Sequence, residues 1–530
     1  MIRLRQIKLP VEDSNIDKIK YECAKRLKIN LDKIREIKIV KRSIDARNKP
    51  LIYYSYIVEL RVSGEKAIIY KNKHNKDVVL VDNKKYEFTS FGRKQLKLRP
   101  VIVGSGPCGL MAGYMLAKYG YKPIIIERGS DCDTRTLKVK EFWENGKLDI
   151  NSNVQFGEGG AGTFSDGKLN TLIKDKNNYH ELVFKIFVEN GAPKEIMCDS
   201  KPHIGTDILK KVVKNIRNKI IEMGGSVRFN TKLTDILITD NKINSIIVNE
   251  KEKILCDVLV LAIGHSARDT FELLYQKGFK MEAKPFAVGI RIQHSQDMIN
   301  KNQYGENNKM LEPASYKLTY KASNGRGVYT FCMCPGGYVV NASSNKFGLC
   351  INGMSNYKRE SPNANSAVIV TVSPKDFGTN PLDGVQFQIN LERKAYELGN
   401  GMIPISLYGD YKKSKISREF GNIKPVFKGK YIFKNLNEIF PSYVNEALKE
   451  GIDNFNKKIK GYASDDAIIA AVEARTSSPV KIIRSDIGEA NYSGIYPSGE
   501  GCGYAGGITS AAIDGIATFE KIASIYKPLK

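Results

Sequence analysis

The sequence predicts an α/β protein made of three parts: a parallel-sheet nucleotide domain, a β-rich domain inserted into it, and a small α+β module in front. Three observations predict this. A complete strand–turn–helix–strand unit occupies residues 101–127, strand-like runs punctuated by turns fill 270–460, and residues 1–98 alternate in the order β-α-β-β. At 530 residues the chain is long enough for two to four domains of roughly 100–200 residues each. The expected divisions are 1–98 for the basic module, 99–270 for the first part of the nucleotide domain, 271–460 for the inserted substrate domain, and 461–530 for the returning part.

Composition narrows the class. Hydrophobic residues make up 42% of the chain, which excludes bulk disorder. No apolar run approaches the ~18–20 residues of a membrane-spanning helix. The start, Met1-Ile-Arg-Leu-Arg-Gln, carries no apolar signal region, and the nine cysteines are odd in number and scattered. Both features fit a cytoplasmic protein better than a disulfide-stapled secreted one.

The N-terminal element opens with a strand-like run over 2–9, followed by Ile16, Ile19, Cys23 and Leu27 at 3-4-4 spacing, one face of a helix. Residues 34–44 and 51–62 are β-rich, and 78–81 reads as a further strand, an order that suggests a ferredoxin-like module. No cysteine cluster is present, so no iron–sulfur centre is expected here. Residues 91–99 read as a polar linker.

From Val101 the texture changes. A buried-strand run, Val101-Ile-Val103, meets Gly104-Ser-Gly106-Pro-Cys-Gly109, then a small-residue helix over 110–119, then Ile124-Ile-Ile126 closed by Glu127. Each part has a mechanical reason in a dinucleotide fold: Gly104 permits the tight turn, Gly106 lets backbone approach a pyrophosphate, and Gly109 lets helix and strand pack closely. The helix N-terminus offers unpaired N–H groups to phosphate, and Glu127 stands where an acid accepts ribose hydroxyls. Two other segments carry the same glycine spacing. Gly157-Glu-Gly-Gly160-Ala-Gly162 leads into turn chemistry and reads as backbone approaching a bound cofactor. Gly501-Cys-Gly-Tyr-Ala-Gly506 opens a helix over 508–522 and forms a second anion-friendly start. The sequence therefore holds one dinucleotide fold assembled from both ends of the chain, and none for a nicotinamide cofactor.

A β-meander over 227–255 precedes Asp257-Val-Leu-Val-Leu-Ala-Ile-Gly264, and Ile495-Tyr-Pro-Ser-Gly-Glu500 follows late in the chain. With the first glycine unit, these segments resemble the two-dinucleotide-related FAD oxidoreductase superfamily, in the branch with a single Rossmann-type domain. Here Ile263 stands for the usual Thr and Glu500 for the usual Asp, which puts the ribityl contact in doubt. More closely, the chain is similar to the bacterial and archaeal FAD-dependent dehydrogenase family. That likeness is carried by Pro202-His-Ile-Gly-Thr-Asp207, Gly264-His-Ser-Ala-Arg-Asp269, Phe331-Cys-Met-Cys-Pro-Gly-Gly337 and Glu473-Ala-Arg-Thr-Ser-Ser-Pro479. The resemblance implies FAD held by Gly104, Ser105, Gly106, Pro107, Gly109, Glu127 and Arg128 from the first unit. Gly160, Gly162 and Thr163 would come from the second glycine segment, and Gly264, Gly499, Glu500, Gly506, Gly507 and Ile508 from the returning strands and helix. It implies a cytoplasmic oxidoreductase of unknown substrate; beside it, hydride transfer in either direction between flavin N5 and a small organic substrate is expected, with NAD(P)H as one transient electron donor.

The catalytic group stays open. His203 and His265 are proton-transfer candidates by type, and each serves equally as a structural hydrogen-bond partner. Lys168, Arg291, Glu473 and Arg475 suit an anionic substrate or the cofactor phosphates, or else internal ion pairs. Cys332 and Cys334, if on a regular strand, share one face at ~6.6 Å, the limit for a disulfide; a redox dithiol and two packed small residues are both open. No cysteine or histidine grouping has metal-ligand spacing, so no metal is expected. The helix-like stretch 383–398 carries no readable chemistry.

The net charge is +26, and residues 1–100 hold 26 Lys+Arg against 12 Asp+Glu, or +14. Such a block fits nucleic acid, an acidic protein partner or an anionic membrane surface. A chain-wide richness in Lys, Ile and Asn, with no aromatic interleaving, weighs against nucleic acid. Two rival readings are therefore kept: a flavin-dependent RNA-modifying enzyme, and a flavin-bound sensor or electron relay without catalysis.

Overall fold

The computed structural model describes residues 1–82, 86–171, 173, 175, 177–305 and 310–529. At its centre five short strands pair in parallel, in the spatial order Ile495–Pro497, Leu259–Leu261, Val101–Val103, Ile124–Ile126, Ser226–Arg228. Three of these strands read as unbroken apolar runs, as expected of strands covered on both faces. The helices Pro107–Lys118 and Ile508–Ala523 pack together against this sheet. Glycine makes the packing possible: a Cβ at Gly109 would stand 1.9 Å from the Gly104 carbonyl oxygen, and one at Gly515 would stand 2.3 Å from that of Cys108. The two ends of the chain thus build one domain.

The expected meander forms from Leu233–Thr239, Lys242–Val248 and Glu252–Leu255. It begins later than residue 227, because Ser226–Arg228 is drawn into the parallel sheet. The helix Thr206–Glu222 and its Gly224-Gly225 turn deliver that strand alongside Ile124–Ile126.

A second, seven-stranded sheet holds the largest hydrophobic core, in the order Thr319–Lys321, Gly327–Cys334, Asn363–Val372, Phe286–Ser295, Ile468–Glu473, Ile403–Leu407, Tyr431–Phe433. Ile468–Glu473 sits inside this sheet, so the border expected at 460/461 falls short of one of its central strands. The strand Gly327–Cys334 breaks register against its neighbour between Phe331 and Cys334, with Cys332 at φ +40°. The regular alternation expected for Cys332 and Cys334 is therefore absent: Cys334 is buried and Cys332 exposed.

The first residues form a four-stranded antiparallel sheet in the order Ile34–Asp45, Tyr53–Val62, Ile2–Pro10, Val78–Leu80, with helices Ile16–Leu27 and Glu65–Lys71. Ile19, Cys23 and Leu27 enter its core, while Ile16, at the first turn of its helix, stays 47% exposed. The module is stitched to the rest along its edge strand. Arg42 N–H donates to the Cys198 carbonyl at 2.6 Å, Ser200 N–H donates to that of Arg42 at 2.8 Å, and the Arg42 guanidinium pairs with Asp199 at 2.8 Å. Residues 91–99 are not a free linker. Lys94–Gln95 pairs in parallel with Tyr526–Lys527, and Phe91 packs on Phe88 and Tyr119. Among the described residues no helix is long and apolar enough to cross a membrane.

Candidate functional site

The carboxyl ends of the parallel strands open into a cleft of ≈ 330 Å³, roofed by the bulged strand of the large sheet. This is the end at which open parallel sheets bind ligands. Helices Pro107–Lys118 and Ile508–Ala523 both begin on its wall, and neither receives a side-chain cap. Their positive dipole ends and first-turn N–H groups are thus directed to the cleft, an arrangement suited to phosphate.

Opposite the first helix lies the loop 157–162. Gly160 there approaches Gly106 so closely that a Cβ on it would stand 3.1 Å from the Gly106 Cα. Arg135, fully buried on the helix Cys132–Asn145, holds this loop through carbonyl oxygens. Its Nε donates to Asn153 at 2.8 Å, Nη1 to Glu158 at 2.7 Å and Gly160 at 3.0 Å, and Nη2 to Val154 at 3.0 Å. Glu127 closes the same corner: its carboxylate accepts from Ser105 N–H at 3.0 Å, Ser105 Oγ at 2.8 Å, Gly129 N–H at 2.9 Å and Gly157 N–H at 3.0 Å. Four protein donors fill a carboxylate's accepting capacity. A ribose hydroxyl at Glu127 would therefore have to displace one of them.

Further along the wall, Arg475 and Arg268 grip one buried carboxylate, Glu392, at 2.6–2.8 Å. Burial opposes ionisation of Glu392, but the two guanidinium groups outweigh it and hold the carboxyl at about 2. The triad carries one net positive charge beside the cleft. Burial, followed by Arg475 and Arg268, pushes the adjacent His265 imidazole down to about 3. Burial pushes the neighbouring Glu500 carboxyl up to about 7, partly countered by Lys284. The two side chains lie 3.7 Å apart, and with His265 neutral they do not form an ion pair at neutral pH. At the far end Lys168 and Arg359 flank Asp166, at 3.1 and 2.7 Å. Burial alone would raise the Asp166 pKa, yet the two cations hold it well below the usual carboxylate range.

Of the residues expected to hold the cofactor, Gly104, Gly106, Pro107, Glu127 and Arg128 line the cleft. So do Gly160, Gly162, Gly264, Glu500, Gly506, Gly507 and Ile508. Ser105, Gly109, Thr163 and Gly499 lie behind the wall. Ser105 serves Glu127, Gly109 the helix packing and Thr163 the Glu158 carbonyl, while Gly499 N–H donates to Asp514 at 2.7 Å. Lys168 and His265 line the cleft, whereas His203 stands outside it. The His203 Nε2 faces the Tyr357 carbonyl at 2.9 Å, and burial and then Arg359 lower its pKa. Neither histidine is poised as an imidazolium acid. Arg291 is spent on Glu473, at 2.9 and 3.1 Å, and is fully buried. Cys332 lines the cleft from the bulge and is exposed while Cys334 is buried, an arrangement unlike the shared strand face a paired dithiol was expected to use. Among the described residues no group of His, Cys, Asp or Glu could hold a metal ion.

Sequence reasoning missed Arg135, Asp514 and Glu392. Glu392 had a signal: it falls on the buried stripe Val385, Gln388, Leu391, Ala395 of the helix Asp383–Gly399, where a lone carboxylate demands a partner.

The donors fit a dinucleotide on structural grounds. Gly264, Gly506 and Gly507 line the cleft, and a Cβ on any of them would meet no protein atom within 4 Å and would project into free space. Bare backbone, two uncapped helix starts and a net positive triad suit a bulky diphosphate.

Comparison with known proteins agrees. A family model described as "FAD binding domain" matches residues 97–137, and one described as "FAD-dependent protein, C-terminal domain-like" matches 285–476. A domain of unknown function matches 1–61. A protein of Clostridium beijerinckii described as uncharacterized is 49% identical over 530 residues, covering 98% of each chain. Among solved structures, glycine oxidase from Bacillus cereus is 10% identical, with 80% of this chain and 95% of that one covered and a TM-score of 0.31. A geranylgeranyl bacteriochlorophyll reductase-like protein from Thermoplasma acidophilum is 12% identical, with 82% and 79% covered and a TM-score of 0.34. TM-scores of this size do not establish a shared fold.

Proposed function

The chain belongs to one family with the Clostridium beijerinckii protein and itself carries the two FAD-related domain matches, and from that premise we propose that it is an oxidoreductase acting on a small organic substrate. FAD is its cofactor. When bound, FAD supplies the redox chemistry, exchanging a hydride at its N5 position. An external reductant such as NAD(P)H, bound without a fold of its own, fits a chain with one dinucleotide unit. The proposed architecture is a Rossmann-type domain, an inserted β-rich substrate domain and a ferredoxin-like N-terminal module.

The observation that carries this reading is the glycine-lined cleft between two uncapped helix starts. The chain's own residues have the following work. Gly104, Gly106, Gly160 and Gly162 admit the diphosphate to bare backbone. The start of Ile508–Ala523 directs its first-turn N–H groups and positive dipole end into the cleft, where they would favour negative charge on a bound cofactor. Arg475, anchored by Glu392, fixes a positive charge in the wall at no cost of reorganisation. Glu500, whose carboxyl sits near 7, is equipped to hold or release a proton at neutral pH. Asn352 and Gly353, with the bulge at Cys332, form the roof under which substrate would lie.

Anaerobic titration of the FAD-loaded chain tests the reading. NADH, NADPH or one of a panel of organic acids, alcohols and amines should bleach the oxidised-flavin absorbance within seconds to minutes. If none of these reduces it, while dithionite does, a non-catalytic relay is favoured instead.

A further inference from the structure

A second cavity, ≈ 600 Å³, lies on the seam between the N-terminal module and the body of the protein. Arg42, Arg47 and Lys49 come from the module, and Lys168, Lys201 and Arg359 from the body. Against these six cations the described lining includes three carboxylates, Asp45, Asp199 and Glu312, and a fourth, Asp166, pairs with Lys168 and Arg359 from outside the lining. The imbalance is local and specific. Arg42 pairs with Asp199 and Arg47 with Asp45, whereas among the described residues Lys49 Nζ donates to the Asn302 carbonyl at 2.5 Å and Lys201 Nζ to Ser315 Oγ at 3.0 Å, and neither meets a carboxylate. Partial desolvation, and then the Arg359 and Lys168 cations, push the Lys201 ammonium below its ordinary pKa, as expected where positive charge is crowded without a counter-ion.

The cavity is not isolated. Lys168 and Asn170 line both it and the cofactor cleft, so only these side chains' thickness separates the two spaces there. The module is bent to make its share of the wall: the strand Ile2–Pro10 shifts register between Leu4 and Ile7, and Gln6, at φ +59°, lines the cavity.

We propose that the seam cavity binds the anionic end of the substrate, a carboxylate or a phosphate monoester, while the reacting end enters the cofactor cleft past Lys168 and Asn170. This rests on the preceding reading of the cleft and adds a substrate class to it. An anion there neutralises charge at Lys49 and Lys201 that no carboxylate among the described residues pairs, and Lys168 becomes the residue that both halves of the substrate pass. The basic module is then a wall of the substrate site. A walled pocket between two folded units accepts a small anion but gives a nucleic-acid backbone no continuous surface to track.

The test uses the full-length, FAD-loaded chain and two probes, inorganic phosphate and succinate, titrated calorimetrically at constant ionic strength. At least one should bind saturably and perturb the flavin absorbance. The double variant K49Q/K201Q should weaken that binding tenfold or more, K49R/K201R should retain it, and K66Q, on the exposed far helix of the module, should leave it unchanged. FAD content and melting temperature are recorded for every variant. Absence of saturable binding by either probe, or equal binding by K49Q/K201Q and wild type, overturns the proposal. A chain that takes up no FAD overturns the oxidoreductase reading instead, and the lysine dependence of anion binding can still be read from the heat of titration.

Discussion

Glu500 shows how one side chain can report on its surroundings. Burial lifts its carboxyl from 4.5 to about 7. Between those values the folded chain therefore holds a proton that the unfolded chain has released, and stability falls as pH rises through that window. In the FAD-free protein E500Q should flatten this decline, by at most about 1.4 kcal/mol per pH unit; thermal melts between pH 4.5 and 7 measure it. An unchanged slope would place the carboxyl in ordinary solvent. Legibility at this scale was uneven. Gly104, Gly106 and Glu127 announce themselves because a phosphate-binding turn restricts residue type at fixed spacing. His203 and His265 did not reveal that their pKa values are lowered, because burial does this first and then Arg359 for the one and Arg475 and Arg268 for the other, all set by contacts far away in sequence.

At the scale of elements, the loop 157–162 stands where it does because a buried guanidinium on Cys132–Asn145 satisfies four of its neighbouring carbonyls. A lysine cannot span that set, since its ammonium is a point donor and the guanidinium a planar fork. R135K should therefore lower both the melting temperature and FAD affinity, the latter tenfold or more, as read by flavin-fluorescence titration. Intact affinity would show that the loop is held by its own turn. Nothing in the local sequence marks Arg135, because its partners are backbone atoms and backbone carries no residue code. The bulge at Cys332 was hidden for a related reason: the run Tyr329–Cys334 alternates like any strand, and only the register with Asn363–Val372 exposes the break. The tether of Lys94–Gln95 to Tyr526–Lys527 joins segments more than 400 residues apart, beyond the reach of any local pattern.

For the whole molecule, the strand–turn–helix–strand unit and the late glycine-rich helix start were enough to foresee that early and late segments meet, as Val101–Val103, Leu259–Leu261 and Ile495–Pro497 do in one parallel sheet. The seam was not foreseeable, since a charge count says how basic the module is but not what its cations face. About half of the +26 lies in the first hundred residues, and three of those cations, the half-buried Arg42 and the exposed Arg47 and Lys49, line the seam cavity. The central claim is that the glycine-lined cleft holds FAD, and flavin content of the purified chain tests it most directly, with Gly506→Val as the comparison. A Cβ at Gly506 meets no protein atom within 4 Å, so the variant should fold and melt as the FAD-free wild type does. The account predicts one FAD per wild-type chain and at least a tenfold weaker affinity in G506V, about 1.4 kcal/mol or more. A wild-type chain that takes up no FAD, or a G506V chain that binds it equally well, would contradict it.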